Sequence, residues 1–552
     1  HGRESGMVWV SAEALAEAFG VGPATVSSWI ADGSIWAGTG GAGAEPLADE
    51  IFSDGFEDCL WGPSAPATAL GPTDGPREVA WVAADDYSGL YFYGEAIDSI
   101  YTRDNVYWLQ RGRGTTMPIR SGFVQGPVEI GSFMDEVHIE QDHWPLTSVM
   151  TDPEADYWMW DYFFPFAGEP VVSKSFTIEA PGATGSGRAE LTAHLQGSWA
   201  SEVSPNHLVE ISLNGTPLGG TWSWDDHDPL TLTLAFEQTL LVDGDNTVEI
   251  SALLADGLDF DEFYLDSFDL RYRRLHRADR NRLAATTTGD EIMTVEGFES
   301  DDITVFDISE PSRPVLLNEI RVTPGDGGFL VTFDTGGEIF PFYAATSSAA
   351  IMPAAIVADI ASQLADPTNV GRYVIVAGDG LEAEAALLAD YRSQQGLSAM
   401  VARTADIYDE FNGGIKSPWA IHDFLRQAVE TWTEPPEYVF LVGDGSLDHR
   451  GVWGEGEDLV PALMAVTDDG LVPSDNLMAD WHGNDGVPEV AIGRLPAQSA
   501  AELAVYRDKV IEFEAGSGEW KRQALWLADG ADAGGEFSDD LQALVEGMPE
   551  GY

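Results

Sequence analysis

Oxygen donors are the most concentrated chemical resource of this sequence. Asp480, Asn484, Asp485 and Glu489 lie within one short stretch, Asp480-Trp481-His482-Gly483-Asn484-Asp485-Gly486-Val487-Pro488-Glu489. Thr467-Asp468-Asp469-Gly470 and Ser474-Asp475 add oxygens just upstream. A hard cation such as Ca2+ takes six to eight oxygens from a flexible loop, and this loop offers several of them. His482 interrupts the alternation of oxygen donors, so a solvated acidic turn is the competing reading. Nucleophiles are scarce by contrast. The one cysteine, Cys59, sits in Gly55-Phe56-Glu57-Asp58-Cys59-Leu60-Trp61 with acids beside it and no histidine near in sequence. A reactive thiolate needs a cationic or basic neighbour, so Cys59 reads as a bystander thiol. His422, His449 and His482 are the histidines after residue 300, and none has a cysteine partner. A single cysteine also forbids an internal disulfide.

The elements that would position the acidic loop form an α/β pattern. Residues 372–377, 398–402 and Tyr438-Val439-Phe440-Leu441-Val442 are short apolar strands. Near-continuous apolar runs of this length suit a parallel sheet covered on both faces. Between them, Leu381, Ala385, Leu388 and Tyr391 make one helical stripe, ended by Gly396. Ile421, Phe424, Leu425, Ala428 and Val429 make another, with Ser417 as cap and Pro418 in the first turn. A helix over 499–513 and a strand over 524–528 follow. This order predicts a doubly wound sheet, whose ligands bind beyond the strand carboxyl ends. Gly443-Asp444-Gly445-Ser446 and Ala528-Asp529-Gly530 fall at such ends. The lone Gly-x-Gly there does not indicate a nucleotide site.

Leu441-Val442-Gly443-Asp444, then Gly483-Asn484-Asp485 leading to Val490-Ala491-Ile492-Gly493-Arg494, then a long helix over 499–513, resemble the gingipain-type cysteine peptidases, peptidase family C25. The resemblance implies a caspase-like α/β fold. It also implies proteolysis in which a cysteine thiolate attacks the scissile carbonyl and backbone N–H groups hold the oxyanion. In that family the catalytic His and Cys follow later strands. No residue of this chain matches either position, and no catalytic residue is assigned. The resemblance further implies a structural Ca2+ at the acidic loop. It also implies an acidic pocket for a basic substrate side chain, near Gly535-Glu536-Phe537-Ser538-Asp539-Asp540. Asp539 is the nearest match, and helix capping by Ser538 or Asp539 explains the same residues.

The rest of the chain reads as β structure. Length alone calls for several domains, since 552 residues exceed a single core. The expected fold is multidomain, with N-terminal all-β domains of β-sandwich or jelly-roll type followed by the caspase-like parallel-sheet domain. Residues 1–76 hold a small helical element and a Gly/Ala/acid-rich linker; 77–165 form a β-rich domain. A jelly-roll-like sandwich spans 170–275, on period-two strands such as Leu208-Val209-Glu210-Ile211-Ser212-Leu213 and turns at Asn214-Gly215. A β-rich segment and a linker helix, rich in Ala and Ile over 346–368, cover 276–368. The α/β domain, incomplete, spans 369–552. The helix pair near the N-terminus has a helix-turn-helix spacing, but residues 5–50 contain no Lys or Arg for phosphates.

Composition narrows the partners. Ninety-three acidic residues face 27 basic ones, for a net charge of -66. Such a surface repels phosphate backbones, which argues against nucleic acid. It suits high salt or calcium, or serves solubility. No apolar run approaches the roughly 18 residues of a spanning helix, so no integral membrane segment is expected. Eighteen Trp, 16 Tyr and 25 Phe are too many for a disordered acidic tail. Together these features read as the N-terminal portion of an exported gingipain-like cysteine endopeptidase, secreted or at a bacterial cell surface. Its partners would be protein or peptide substrates, and its Cys–His dyad would lie beyond this chain. A sortase-like member of the family is a close variant. The alternative is a non-catalytic surface or secreted protein whose sandwich binds glycan or protein.

Overall fold

The computed structural model describes residues 5–39, 77–126, 129–454, 456–483, 485–518, 521, 523, 525–528, 530, 535 and 537–547. Most of the 38–76 linker, Cys59 included, lies outside them.

The sandwich is built from two antiparallel sheets whose strands bury alternate residues over most of their length, as in Pro229–Glu237 and Gly244–Leu254. That period of two turns every second side chain into one core. Phe176, Leu191, Val209, Ile250, Phe263, Phe268 and Leu270 are among its members. One sheet orders Asp161–Phe163, Phe263–Leu275, Arg188–Gly197 and Pro229–Glu237, with Ser132–Glu140 added to the long strand Phe263–Leu275. The sandwich therefore draws two strands from before residue 165. A second sharing links Ile119–Ser121 in parallel to Val315–Asn318. At the N-terminus, helices Ala12–Ala18 and Pro23–Asp32 follow strand Gly6–Ser11, which pairs with Gly89–Gly94. Their apolar faces share one core with Trp81, Phe92, Phe306 and Tyr343.

The expected Ala/Ile helix over 346–368 does not form: one short turn, Ser347–Ala349, is followed by extended chain. Two causes are visible. The backbone of Ile351 is already committed, donating to Met7 O and accepting from Trp9 N. Pro353 follows, with no N–H to give a helix. The segment is instead pinned near its end. Glu410 accepts from the backbone N–H groups of Leu364 and Ala365 at 2.7 and 2.9 Å.

The C-terminal unit is a four-stranded, all-parallel sheet ordered Ala399–Arg403, Tyr373–Ala377, Tyr438–Val442, Ala491–Leu495. Helices Glu382–Gln394 and Ala500–Ala515 bury Leu388 and Leu503 against one face. Helices Thr404–Asn412 and Pro418–Thr431 bury Ile407, Ile421, Phe424 and Leu425 against the other. Ser417 caps the last of these through Trp419 N at 3.2 Å, and Pro418 opens it. The strand expected over 524–528 is absent among the described residues. Leu525 and Leu527 are 84% and 82% exposed there, with no neighbouring strand recorded for them. The sheet order reverses between Tyr373–Ala377 and Tyr438–Val442, and this switch point sets where a site can form.

Candidate functional site

Two glycine loops leave the sheet at the switch point: Gly378-Asp379-Gly380 and Gly443-Asp444-Gly445-Ser446. Gly443 has φ +150°, and a Cβ there would come within 2.6 Å of Val460. Only glycine fits such a position. The loop is fixed by Arg494, the arginine of the Ile-Gly-Arg motif. Its Nε and Nη2 grip the Asp475 carboxylate at 2.7–3.1 Å. Its Nη1 donates to Gly443 O at 2.9 Å and Val460 O at 2.6 Å. Every nitrogen of the fork is engaged, so Arg494 holds the loop, with one Nη2 hydrogen as its single uncommitted donor.

Beyond the loop stands a buried charged cluster. Asp458 accepts from Lys416 Nζ at 2.8 Å and from Ser446 N at 2.9 Å, and its Oδ2 is 2.8 Å from His449 Nδ1. Lys416 also donates to His449 O at 2.9 Å. Burial alone would raise the Asp458 pKa, but the His449 hydrogen bond and the Lys416 charge outweigh it and hold the carboxyl below its ordinary value. Two crevices flank His449. One, of about 190 Å³, is bounded by Asp444, Ser446, Asp475 and Arg494. The other, of about 350 Å³, is bounded by Asp379, Tyr408, Lys416 and Asp458. Burial, then the charges of Asp458 and Asp379, push the Tyr408 hydroxyl well above its usual range. Burial, then the charge of Glu382, raises Asp379.

A histidine oriented by a carboxylate is half of a catalytic arrangement, the base without the nucleophile. His449 Nε2 is buried and has no hydrogen-bond partner. The Ser446 hydroxyl accepts from Asp448 N at 2.9 Å. No Ser, Thr or Cys hydroxyl or thiol is recorded against His449 among the described residues. Above the ring lies Tyr101, edge-on at 5.0 Å.

Tyr101 belongs to a cap that residues 98–158 place over these loops. Tyr157 Oη donates to Leu447 O at 2.8 Å, and Trp453 Nε1 to His143 O at 2.9 Å. Trp108 Nε1 donates to Gly413 O at 2.9 Å. Gly414 beside it has φ +92°, and a Cβ there would strike Val106 at 2.8 Å. Arg450 inserts into the cap, its side chain 5% exposed, 2.9 Å from Asp142, 3.4 Å from Asp156 and 3.5 Å from Asp98.

Of the residues singled out in the sequence, Asp444, Ser446 and Asp475 line the crevice beside His449, whereas Asp480, Asp485, Glu489 and Asp539 line neither crevice. Asp480 Oδ2 accepts from Gly486 N at 2.7 Å, Asp485 from Val487 N at 3.0 Å, and Glu489 from Trp481 N at 2.8 Å. Asp480 Oδ1 is buried without a partner. Asn484 lies outside the described residues. Asp539 is exposed in the first turn of helix Phe537–Glu546. His482 is 68% exposed and 3.8 Å from Glu489. Sequence reading missed the roles of Lys416, Asp458 and His449. The available signal was the Asp448-His449 pair just past a parallel strand.

Comparison with known proteins agrees with this geometry. Residues 366–551 match the model of peptidase family C25. Over 179 residues the chain is 27% identical to Gingipain R2 and to Gingipain R1 of Porphyromonas gingivalis. That alignment covers 32% of this chain but 21% and 16% of those proteins. Among solved folds, dimeric latent PorU from Porphyromonas gingivalis superposes with a TM-score of 0.60 at 18% identity. The superposition covers 96% of this chain and 51% of that one, so the chain spans about half the length of PorU.

Proposed function

We propose, taking as premise that this chain is a gingipain-type member of peptidase family C25, that it is the N-terminal scaffold of an exported cysteine endopeptidase. Its substrates are proteins or peptides. The Cys–His dyad belongs to sequence outside residues 1–552, where a thiolate attacks the carbonyl and backbone N–H groups stabilise the oxyanion. The observation that carries the reading is the switch-point loop, Leu441-Val442-Gly443-Asp444 clamped by Arg494, within the region that matches the family model. In this reading the α/β unit is a rigid support, since its buried, carboxylate-oriented His449 has no nucleophile beside it among the described residues. Residues 98–158 cap it as an accessory or pro-region module.

Two side-chain assignments accompany the proposal. Asp539, exposed at a helix start, offers its carboxylate to a basic substrate side chain. Asp480, Asp485 and Glu489, with Asn484, hold a structural calcium ion. The unpartnered buried Asp480 Oδ1 is the opening that such an ion would fill, and binding would have to draw the three described carboxylates together, since they do not lie within 4.8 Å of one another. No helix among the described residues is long and apolar enough to cross a membrane.

The test is direct. Residues 1–552 expressed alone hydrolyse no peptide, with or without reductant. The natural gene product isolated from its source is labelled by an iodoacetamide probe at a cysteine other than Cys59. Thiol-dependent cleavage by residues 1–552 that disappears in Cys59→Ser would overturn the reading.

One observation favours a second reading, a non-catalytic protein that binds glycan. Trp199 and Phe164 are 40% and 42% exposed at one end of the sandwich, both against Phe260, at 4.6 and 5.4 Å between centroids. An exposed aromatic platform is a binding surface for a sugar face. Affinity electrophoresis in neutral polysaccharides, with Trp199→Ala as the control, tests it: retardation lost in the variant supports glycan binding.

A further inference from the structure

The cap that holds Arg450 contains more negative charge than its arginines neutralise. Asp98, Glu140, Asp142 and Asp156 converge there, and two guanidinium groups, Arg103 and Arg450, meet them. His138 meets Glu140 at 3.2 Å as well as Asp269 at 2.7 Å, and Asp269 has a second histidine, His194, at 2.7 Å, so Glu140 is partnered on both sides and Asp142 and Asp156 depend on the arginines. Asp98 is open to water, its side chain 57% exposed, and Asp156 is 34% exposed, whereas Asp142 is 5% exposed and bears the excess charge away from water. An uncompensated buried charge is among the most costly features a fold can carry.

The geometry shows where compensation fits. One carboxylate oxygen from each of Glu140, Asp142 and Asp156 lies within 4.8 Å of the others. Both arginines approach Asp142 on the same oxygen, Oδ2, each at 2.9 Å. The other oxygen, Oδ1, is buried and has no partner, on a side chain that is 5% exposed. A carboxylate oxygen buried without a donor loses its hydration for nothing in return. Asp142 belongs to that group of three carboxylates, and a buried acid with one oxygen free beside two further acids suits a ligand to a hard cation.

We propose that Glu140, Asp142 and Asp156 bind one divalent cation of the calcium class at the seam between the N-terminal cap and the α/β unit. All three ligands come from the cap. Arg450, from the α/β unit, meets two of them on its other side. A bound ion fixes the carboxylates that receive Arg450, so cation binding and docking of the cap are coupled. The site is separate from the Asp480–Glu489 loop and does not depend on the peptidase reading.

Terbium luminescence tests the site, because Tb3+ replaces Ca2+ in oxygen sites and is sensitised by nearby indoles. Trp158 N donates to Asp156, and Trp453 packs edge-on to Trp158 at 5.3 Å, so sensitisers are in place. The titration is run on residues 1–552 in about 1 M salt, which screens diffuse binding to the acidic surface. The parent protein shows a saturable phase that excess Ca2+ displaces. Asp142→Asn weakens that phase by about tenfold or more, Glu140→Gln weakens it too, and Asp480→Asn leaves it in place. A phase unchanged in folded Asp142→Asn and Glu140→Gln proteins overturns the proposal. Should neither variant fold, crystals of the parent grown with Tb3+ decide. An anomalous peak among the three carboxylates supports the site; its absence at full loading of the crystal overturns it.

Discussion

The sandwich and the seam beneath the cap are both well buried, yet they are held by opposite means. In the sandwich, Leu191, Phe268 and Leu270 on neighbouring strands share a dry core, and each strand buries every second residue. At the seam, Arg450, Asp458 and Asp142 are buried charges with the His449 ring beside them, and the contacts join residues 290 and 310 positions apart. A dry core tolerates loss of one member through a cavity whose cost depends on local collapse. A buried charge network tolerates loss of one member poorly, because the partner is left charged and dry. The sandwich therefore supplies stability, while the seam supplies a defined arrangement of two units.

The largest expected effect breaks the comparison on the seam side. Arg450→Ala leaves Asp142 and Asp156 facing each other and costs about 3–5 kcal/mol. Denaturant unfolding then separates into two transitions, and limited proteolysis cuts between the cap and the α/β unit. Arg450→Lys restores the charge without the planar fork and recovers part of the loss. A single unchanged transition in Arg450→Ala would show that the cap docks by its apolar contacts alone. On the sandwich side, Leu270→Ala costs about 3 kcal/mol through transfer and cavity terms. It lowers the sandwich transition, and below that transition proteolysis finds the cap still docked; because Val137 of the cap pairs with Leu270, the cap is released only when the sandwich itself unfolds.

The same contrast explains what the sequence disclosed. Strands such as Leu208–Leu213 were legible because burial there follows a period of two within one segment. Helix Pro418–Thr431 was legible from a local cap and a stripe. The helix expected over 346–368 failed because Ile351 is recruited by Met7 and Trp9, which no local pattern records. Helix Thr404–Asn412 was missed between a strand and a glycine pair. The Lys416–Asp458–His449 cluster was hidden for a related reason, since Lys416 reaches His449 and Asp458 from a separate loop, 33 positions before His449. The Arg494 motif was legible as a family signature, while its task, holding Gly443 and Val460, needed coordinates.

A third, smaller effect sharpens the comparison through pH. Asp409 lies at the seam, its Oδ1 near the position a Gly414 Cβ would take. Burial, then the charges of Asp359 and Asp406, push its carboxyl up to about 7. An acid whose pKa is raised by folding holds its proton more tightly in the native state. Its native form is therefore favoured at low pH, and stability falls as pH climbs from about 4 to about 7. Asp409→Asn removes this slope. The variant matches the parent near pH 4 and exceeds it at pH 8 by about 1–2 kcal/mol, a figure discounted for partial exposure. Parallel pH profiles of parent and variant would place the seam's pH sensitivity on other carboxylates.

The smallest effect asks whether the seam is held by individual polar contacts or by the network. Tyr157 is fully buried, and its hydroxyl donates to Leu447 O at 2.8 Å. Tyr157→Phe keeps the ring against Trp158, Met464 and Leu471, which share its apolar cluster. It removes only the donor, leaving the Leu447 carbonyl without this partner at a cost of about 1 kcal/mol. If the seam were a sum of independent contacts, Tyr157→Phe and Arg450→Ala would add within a few tenths of a kcal/mol. Coupling is expected instead, because Leu447 and Arg450 lie on one loop that Asp458 and Arg494 hold in place. Once Arg450 is lost the cap no longer meets that loop, and Tyr157→Phe then costs nothing further. A double-mutant cycle that closes to zero coupling would show the hydroxyl acting alone, and the seam would then resemble the sandwich more than its charges suggest.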